Sequence, residues 1–170
     1  LMEASAAAVF WEHFCKNHNI GLFTSHYDVI DENDNYICNG YNPFEYTLEA
    51  MLMGNIFTHM RGIRIRDWNR SAKPTLPQIL HFRYAEDYDI CMRIAEVSGI
   101  GRIEKSLYRY RRPVNVANTG ITDLYTSSSR GAQLTVEALN TFLMRNGIEG
   151  VKCISTGNAA QPFEVTYVTA

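Results

Sequence analysis

Apolar positions along the chain change period from one segment to the next, and these changes predict the elements. Residues 3–19 form an Ala-rich run with Val9, Phe10, His13 and Phe14 on one face, which predicts a helix. "IGLFTSHYDVID", Ile20 to Asp31, is rich in β-formers and predicts a strand. A polar turn, "DENDNY", leads to a short return strand over Tyr36–Cys38. "NPFEYTLEAMLMGN" predicts a second helix, with Pro43 early and Gly54 at its end. An extended segment and a helical turn near Arg66–Arg70 follow. "SAKPTLPQ", with two prolines, predicts an irregular loop.

The second half has the stronger patterns. Tyr88–Ser98 predicts a helix with Ile90, Cys91, Ile94 and Val97 as its buried stripe and Gly99 past its end. Asp89 and Arg93, spaced i, i+4, are expected to pair on its outer face for a few tenths of a kcal/mol. Gly101–Arg112 predicts one long strand or a strand pair, and a polar loop runs from Pro113. Ser129–Asn146 predicts a helix with Leu134, Ala138, Leu139, Phe142 and Leu143 facing inward and Gly147 as its C′ residue. The tail from 148 to 170 predicts a β-hairpin or two loose strands. No internal repeat or low-complexity run interrupts this order.

Composition narrows the class. The chain has 170 residues, 46% hydrophobic and 20% charged, as in an ordinary single globular domain. A net charge of −2 favours neither nucleic acid nor an anionic membrane. Cys15, Cys38, Cys91 and Cys153 form no CxxC pair and are expected to be reduced, which suits the cytoplasm. There is no apolar run of membrane-spanning length and no signal-peptide pattern. The sequence begins inside a helical pattern, so it is expected to be part of something longer.

Two stretches carry candidate chemistry. Asp31, Asn33 and Asn35 match the first alternate positions of a calcium loop. Tyr36 and Asn42 stand where such a loop needs Gly and Glu, so a polar hairpin turn is expected. The five histidines include no HExxH pair, and no zinc site is expected. The other stretch is Tyr84–Arg112. Glu86 and Asp87 fall just before a helix, where free N–H groups and the positive dipole end favour the ionised form. A carboxylate so placed is either a general base for a hydroxyl or a plain helix cap. Beyond the helix, Arg109 and Arg111 share one face of an extended strand, and Tyr108, Tyr110 and Arg112 share the other. The arginines either converge on an anion or protect an exposed edge.

Together these parts resemble the signature of family 2 glycosyltransferases. The matching residues are Glu86-Asp87-Tyr88-Asp89, Arg93 on the following helix, the Gly99–Gly101 turn, and the strand Leu107–Arg111. Upstream, "LFTSHYDVIDENDNYI" resembles the family's strand and turn after the donor-binding region, and Arg66 with Trp68 resembles its arginine-bearing "R-x-x-W" end. The resemblance spans roughly Glu3 to Asn118. It implies an α/β fold: a partial GT-A-like mixed sheet flanked by helices over 1–147, followed by a β-rich extension over 148–170.

It further implies inverting transfer from a nucleotide-sugar to a carbohydrate or other hydroxyl acceptor. Asp87, supported by Glu86, takes the role of catalytic base. Arg111 and Arg109 hold substrate, and Arg66 belongs to the same region. Trp68 serves either as a sugar platform or as core. A divalent metal, Mn²⁺ or Mg²⁺, is implied for the full enzyme, bound by an upstream half with an Asp-x-Asp motif. Asp87–Asp89 has those letters only on the acceptor side, and Arg112-Pro113 replaces a His often found after Tyr-Arg. The expectation is an acceptor-side half that transfers little alone, with Asp87 opening toward a cleft shared with Arg111. It works in the cytoplasm or at the cytosolic face of a membrane, without nucleic acid, and a homo-oligomer stays open. The rival reading is a non-catalytic binding domain of the same fold, whose tail offers a strand edge to a partner. An Asp87 buried and paired to a fixed cation would favour that rival. An unrelated small-molecule enzyme is the third alternative.

Overall fold

The computed structural model describes residues 1–40, 45–52, 56–57, 59–82, 85–111, 129–158 and 161–167. The order is α1 (Ala6–Lys16), β1 (Ile20–Ile30), β2 (Tyr36–Gly40), α2 (Leu48–Leu52), β3 (Arg61–Ile63), α3 (Ile65–Arg70), α4 (Leu76–His81), α5 (Glu86–Ala95), β4 (Gly99–Arg111), α6 (Ser129–Arg145), β5 (Val151–Asn158) and β6 (Gln161–Tyr167). The fold is mixed α/β, with parallel and antiparallel strands in one sheet flanked by helices.

Strand β1 is the axis of that sheet. It pairs in parallel with β4 along its whole length, from Ile20↔Gly99 to Ile30↔Arg111. A strand has two edges, so β2 and β3 must share the other one. They do so end to end and antiparallel: β3 opposite Leu22–Thr24 and β2 opposite Tyr27–Ile30. Leu22, Phe23, Thr24 and Ser25 are all buried without alternation, because helices cover both faces. On one face, Ala6 and Phe10 of α1 pack with Phe23, Ile103 and Leu107. On the other, Leu22 joins Tyr88, Cys91, Met92 and Ile94 of α5 and Leu139, Phe142 and Leu143 of α6.

The helix stripes follow the sequence pattern closely. All five residues expected to face inward on α6 are buried, and Gly147 has φ +64, as a left-handed C′ residue requires. In α5, Cys91 and Ile94 are buried and Ile90 is half-buried; the helix ends at Ala95 rather than Ser98, so half-buried Val97 lies in the turn beyond it. Burial pushes the Cys91 thiol up to about 12, so it stays protonated in the core. None of the four cysteines is in a disulfide, and Cys15 and Cys38 are exposed.

Three expectations need correction. The loop over 71–78 is not wholly irregular. Thr75 caps α4 through a reciprocal capping box with Gln78, and Pro77 sits in the first turn, where its missing N–H does no harm. The expected second helix is described only as Leu48–Leu52, and Pro43 and Gly54 lie outside the described residues. Asp89 and Arg93 do not pair on the outside. Arg93 Nε donates to Asp89 Oδ2 at 2.7 Å with the two side chains 4% and 2% exposed. The helix face that carries them is covered by α6, whose Arg145 lies 3.7 Å from Asp89.

The "DENDN" segment is a hairpin turn. Asp31 Oδ1 accepts the backbone N–H groups of Asn33 and Asn35, both at 2.8 Å, and its other oxygen accepts Asn35 Nδ2 at 3.0 Å. Those bonds, led by the Asn35 side chain, hold the Asp31 carboxyl below its ordinary range. Asp34 has φ 67, a conformation Asp tolerates.

The tail forms a separate two-stranded sheet, with Val151↔Tyr167 and Cys153↔Val165 in register. Its attachment to α6 is polar as well as apolar. The Asn140 amide donates to Cys153 O at 2.9 Å and accepts from Cys153 N at 2.8 Å, so a helix side chain stands in for a neighbouring strand. No helix among the described residues is long and apolar enough to cross a membrane.

Candidate functional site

Connectivity places the acidic pair. Helix α5 leads into β4 through three residues, so it runs antiparallel to β4 and its N-terminus points toward the C-terminal ends of β1 and β4. A helix of 10 residues rises about 15 Å, the length of four to five strand residues. Counted from Ile20 and Gly99, that brings its first turn level with Thr24. Thr24 is the middle of β1, whose carboxyl end is Ile30.

Glu86 and Asp87 are not before the helix. Ala85 is the N-cap, and the two carboxylates are the first two helical residues. Tyr88 N–H donates to Asp87 Oδ1 at 2.7 Å. Arg61 Nη2 donates to Asp87 Oδ2 at 2.6 Å, and Arg61 Nε donates to Phe57 O at 2.5 Å. Arg61 itself stands opposite Thr24. Asp87 is therefore paired to an anchored cation, but it is not buried: its side chain is 36% exposed and that of Arg61 is 21% exposed.

Next to this pair is an aromatic group that the sequence reading left unassigned. The His59 ring stacks on Tyr110 at 5.1 Å with planes 12° apart, and lies 5.2 Å from Tyr108 and 6.0 Å from Tyr27. Tyr27 also meets Tyr110 edge-on at 6.4 Å. The Tyr27 ring lies over Gly40 of β2, where an added Cβ would sit 2.2 Å from it, so only glycine fits opposite. His59 Nε2 is buried without a hydrogen-bond partner, and burial, followed by the charge of Arg61, lowers the pKa of the ring below its ordinary value. The nearby Asp87 charge acts in the opposite sense.

The arginines expected to join Asp87 do not. In β4, Ile103 and Leu107 point toward α1, and alternation puts Arg109 and Arg111 on that same side. Arg109 pairs with Glu3 at 3.0 Å, and Arg111 pairs with Asp34 of the β1–β2 turn at 2.5 Å. Arg111 stands opposite Ile30, six strand residues beyond Thr24, or about 20 Å. The predicted split of the two faces is correct, but the tyrosines, not the arginines, share the face of Asp87. Arg112 lies outside the described residues.

Arg66 and Trp68 belong to the opposite end of β1. Arg66 grips buried Asp67 through Nε (3.1 Å) and Nη2 (3.0 Å) and also donates to His18 O at 2.9 Å. Arg64 and Arg70 approach the same carboxylate at 3.8 and 3.3 Å. Trp68 is half-buried against the larger core, which makes it a packing residue. Both are removed from Asp87 by the geometry that brings Arg64 N–H to Gly21 O at 2.8 Å.

Among the described residues, no three His, Cys, Asp or Glu side chains come together in a way that suits a metal ion. The cation beside Asp87 is the guanidinium of Arg61, so the described residues do not fit the implied Mn²⁺ or Mg²⁺. No protein-family model matches the chain, and no curated protein matches it either.

Proposed function

We propose that the chain supplies the catalytic base and acceptor side of an inverting glycosyltransferase of GT-A type. The observation that carries this reading is Asp87: a half-exposed carboxylate in the first turn of α5, fixed in direction by Arg61 of β3 and by Tyr88 N–H. In the proposed step, an acceptor hydroxyl gives its proton to Asp87. Its oxygen bonds to the anomeric carbon, and the bond from that carbon to the diphosphate oxygen breaks. The nucleoside diphosphate leaves with the electron pair, and the configuration inverts. Arg61 orients the carboxylate. Tyr108 and Tyr110 replace Arg109 and Arg111 as the β4 side chains on the substrate side. No step of this scheme is routed through a metal on this chain.

The test is transfer from nucleotide-sugars by the protein with an Asp-x-Asp-bearing donor half supplied upstream. Asp87→Asn is expected to lose about 100-fold or more in rate, with melting unchanged. Undiminished transfer would overturn the reading. Calorimetric titration of the chain alone with UDP and GDP, with and without Mn²⁺, tests the division of labour. Metal-dependent binding near micromolar would place a donor site within these residues.

The second reading, a non-catalytic binding domain of the same fold, is favoured by one feature. Arg61 is anchored at Phe57 O and already occupies one oxygen of Asp87. The exposure of the pair weighs against it, since a purely structural pair has no need to stay open to solvent.

A further inference from the structure

The tyrosines of β4 have an unusual combination of contacts. Their rings pack on His59, with Tyr27 completing the group. Neither the Tyr108 nor the Tyr110 hydroxyl has a hydrogen-bond partner among the described residues, and neither is a buried orphan. The group therefore sets partly exposed rings beside hydroxyls that have no partner among the described residues, on the side of the sheet that carries Asp87. A wall of that kind suits a ligand that alternates C–H faces with hydroxyl groups. It does not suit a diphosphate, because the β4 cations that would hold one point away and are paired with Glu3 and Asp34. Near Asp87, the charge of Arg61 is already met.

We propose that Tyr108, Tyr110 and His59 form one wall of the acceptor subsite, and that the acceptor presented to Asp87 is a pyranose whose C–H face packs on these rings. This rests on the reading of Asp87 as the base and names the substrate class for it. Tyr27 is a positioning residue, bracing Tyr110 from the side while its own ring is held over Gly40.

The test uses the 170-residue chain labelled with ¹³C in its tyrosine and histidine rings, with signals assigned through Tyr108→Phe and Tyr110→Phe. Methyl β-D-glucopyranoside, methyl β-D-galactopyranoside, methyl α-D-mannopyranoside and UDP are titrated separately. At least one pyranoside is expected to shift the Tyr108 and Tyr110 signals saturably in the millimolar range. Tyr110→Ala is expected to weaken that binding about tenfold, while Tyr110→Phe, which keeps the ring, stays within about threefold. Equal melting temperatures show that the variants are folded. Absence of any pyranoside shift overturns the proposal, as does unchanged binding in folded Tyr110→Ala. Tighter binding of UDP at the same rings also overturns it, by making this a nucleotide site. If pyranosides bind but Asp87→Asn leaves transfer intact, the base reading fails and the sugar wall stands. If Asp87→Asn abolishes transfer but no pyranoside binds, only the wall fails.

Discussion

Helix α5 carries two Asp–Arg pairs whose aspartates are two residues apart, and the structure gives them opposite settings. Asp89–Arg93 is closed in between α5 and α6, with Arg93 also donating to Ala72 O and Arg145 bridging Asp89 and Glu96. Asp87–Arg61 joins the helix start to β3 and stays open to solvent. Two residues along a helix turn the side chain through about 200°, so one aspartate must face inward when the other faces out. The inner pair lies within α5, and Arg145 of α6 reaches over to Asp89 and Glu96. The outer one leaves a carboxylate partly open to solvent. The difference teaches that the motif's letters alone do not assign roles: burial does.

Breaking the inner pair is expected to have the largest effect. Asp89→Ala leaves Arg93 charged and buried, and urea denaturation should show a loss of about 3–5 kcal/mol. A loss below about 1 kcal/mol would erase the distinction between the pairs. Replacing both partners, Asp89→Leu with Arg93→Met, is expected to recover most of that loss, because no uncompensated charge remains inside. If the double variant is as unstable as the single one, packing rather than charge governs the site.

The outer pair should respond in the opposite way. Asp87→Asn and Arg61→Met are each expected to change stability by about 1 kcal/mol or less, since a partly solvated pair gains little. Asp87→Asn is nonetheless the substitution expected to abolish transfer. An outer-pair variant that unfolds the chain would make Asp87 a structural residue.

The smallest effect concerns pH. His59 has a lowered pKa in the folded state, so folding favours its neutral form. Its contribution is fully present above about pH 6.5, the unfolded value. It is lost as pH falls through the folded value. The stability difference between wild type and His59→Gln should therefore shrink as pH falls below about 6.5. His26 is shifted in the same direction, chiefly by burial, but it is present in both proteins and cancels. A difference that grows on acidification would place His59 in the folded state as a cation.

Much of the fold was legible because it repeats a local rule. The α6 stripe, Gly147, the β1 strand and the Asp31 turn each depend on spacing or on side chains within a few residues. The Thr75–Gln78 capping box was equally local, yet the two prolines around it hid the helix start. The candidate site was legible only in part. Asp87 was marked by its place at a helix start, and Tyr108 and Tyr110 were separated from Arg109 and Arg111 by alternation. Arg61 and His59 had no such mark. They reach the site because β3 pairs with β1 opposite Leu22–Thr24, a contact made across a long stretch of sequence. A charged residue alternating with a histidine in a short extended segment was the one available hint.

By itself, then, the sequence determined the longer helices and strands, the polar turn, and the two faces of β4, because these follow from the 3.6- and 2-residue periods of a single chain. Only the tertiary structure decided which face of β4 looks toward Asp87, which of two aspartates is buried, and that Arg61 and His59 join the outer one. Alternation divides a strand into two sides but does not say which side a helix will cover. That was settled when α1 packed on the side of Leu107 and left the tyrosines on the other side, against His59.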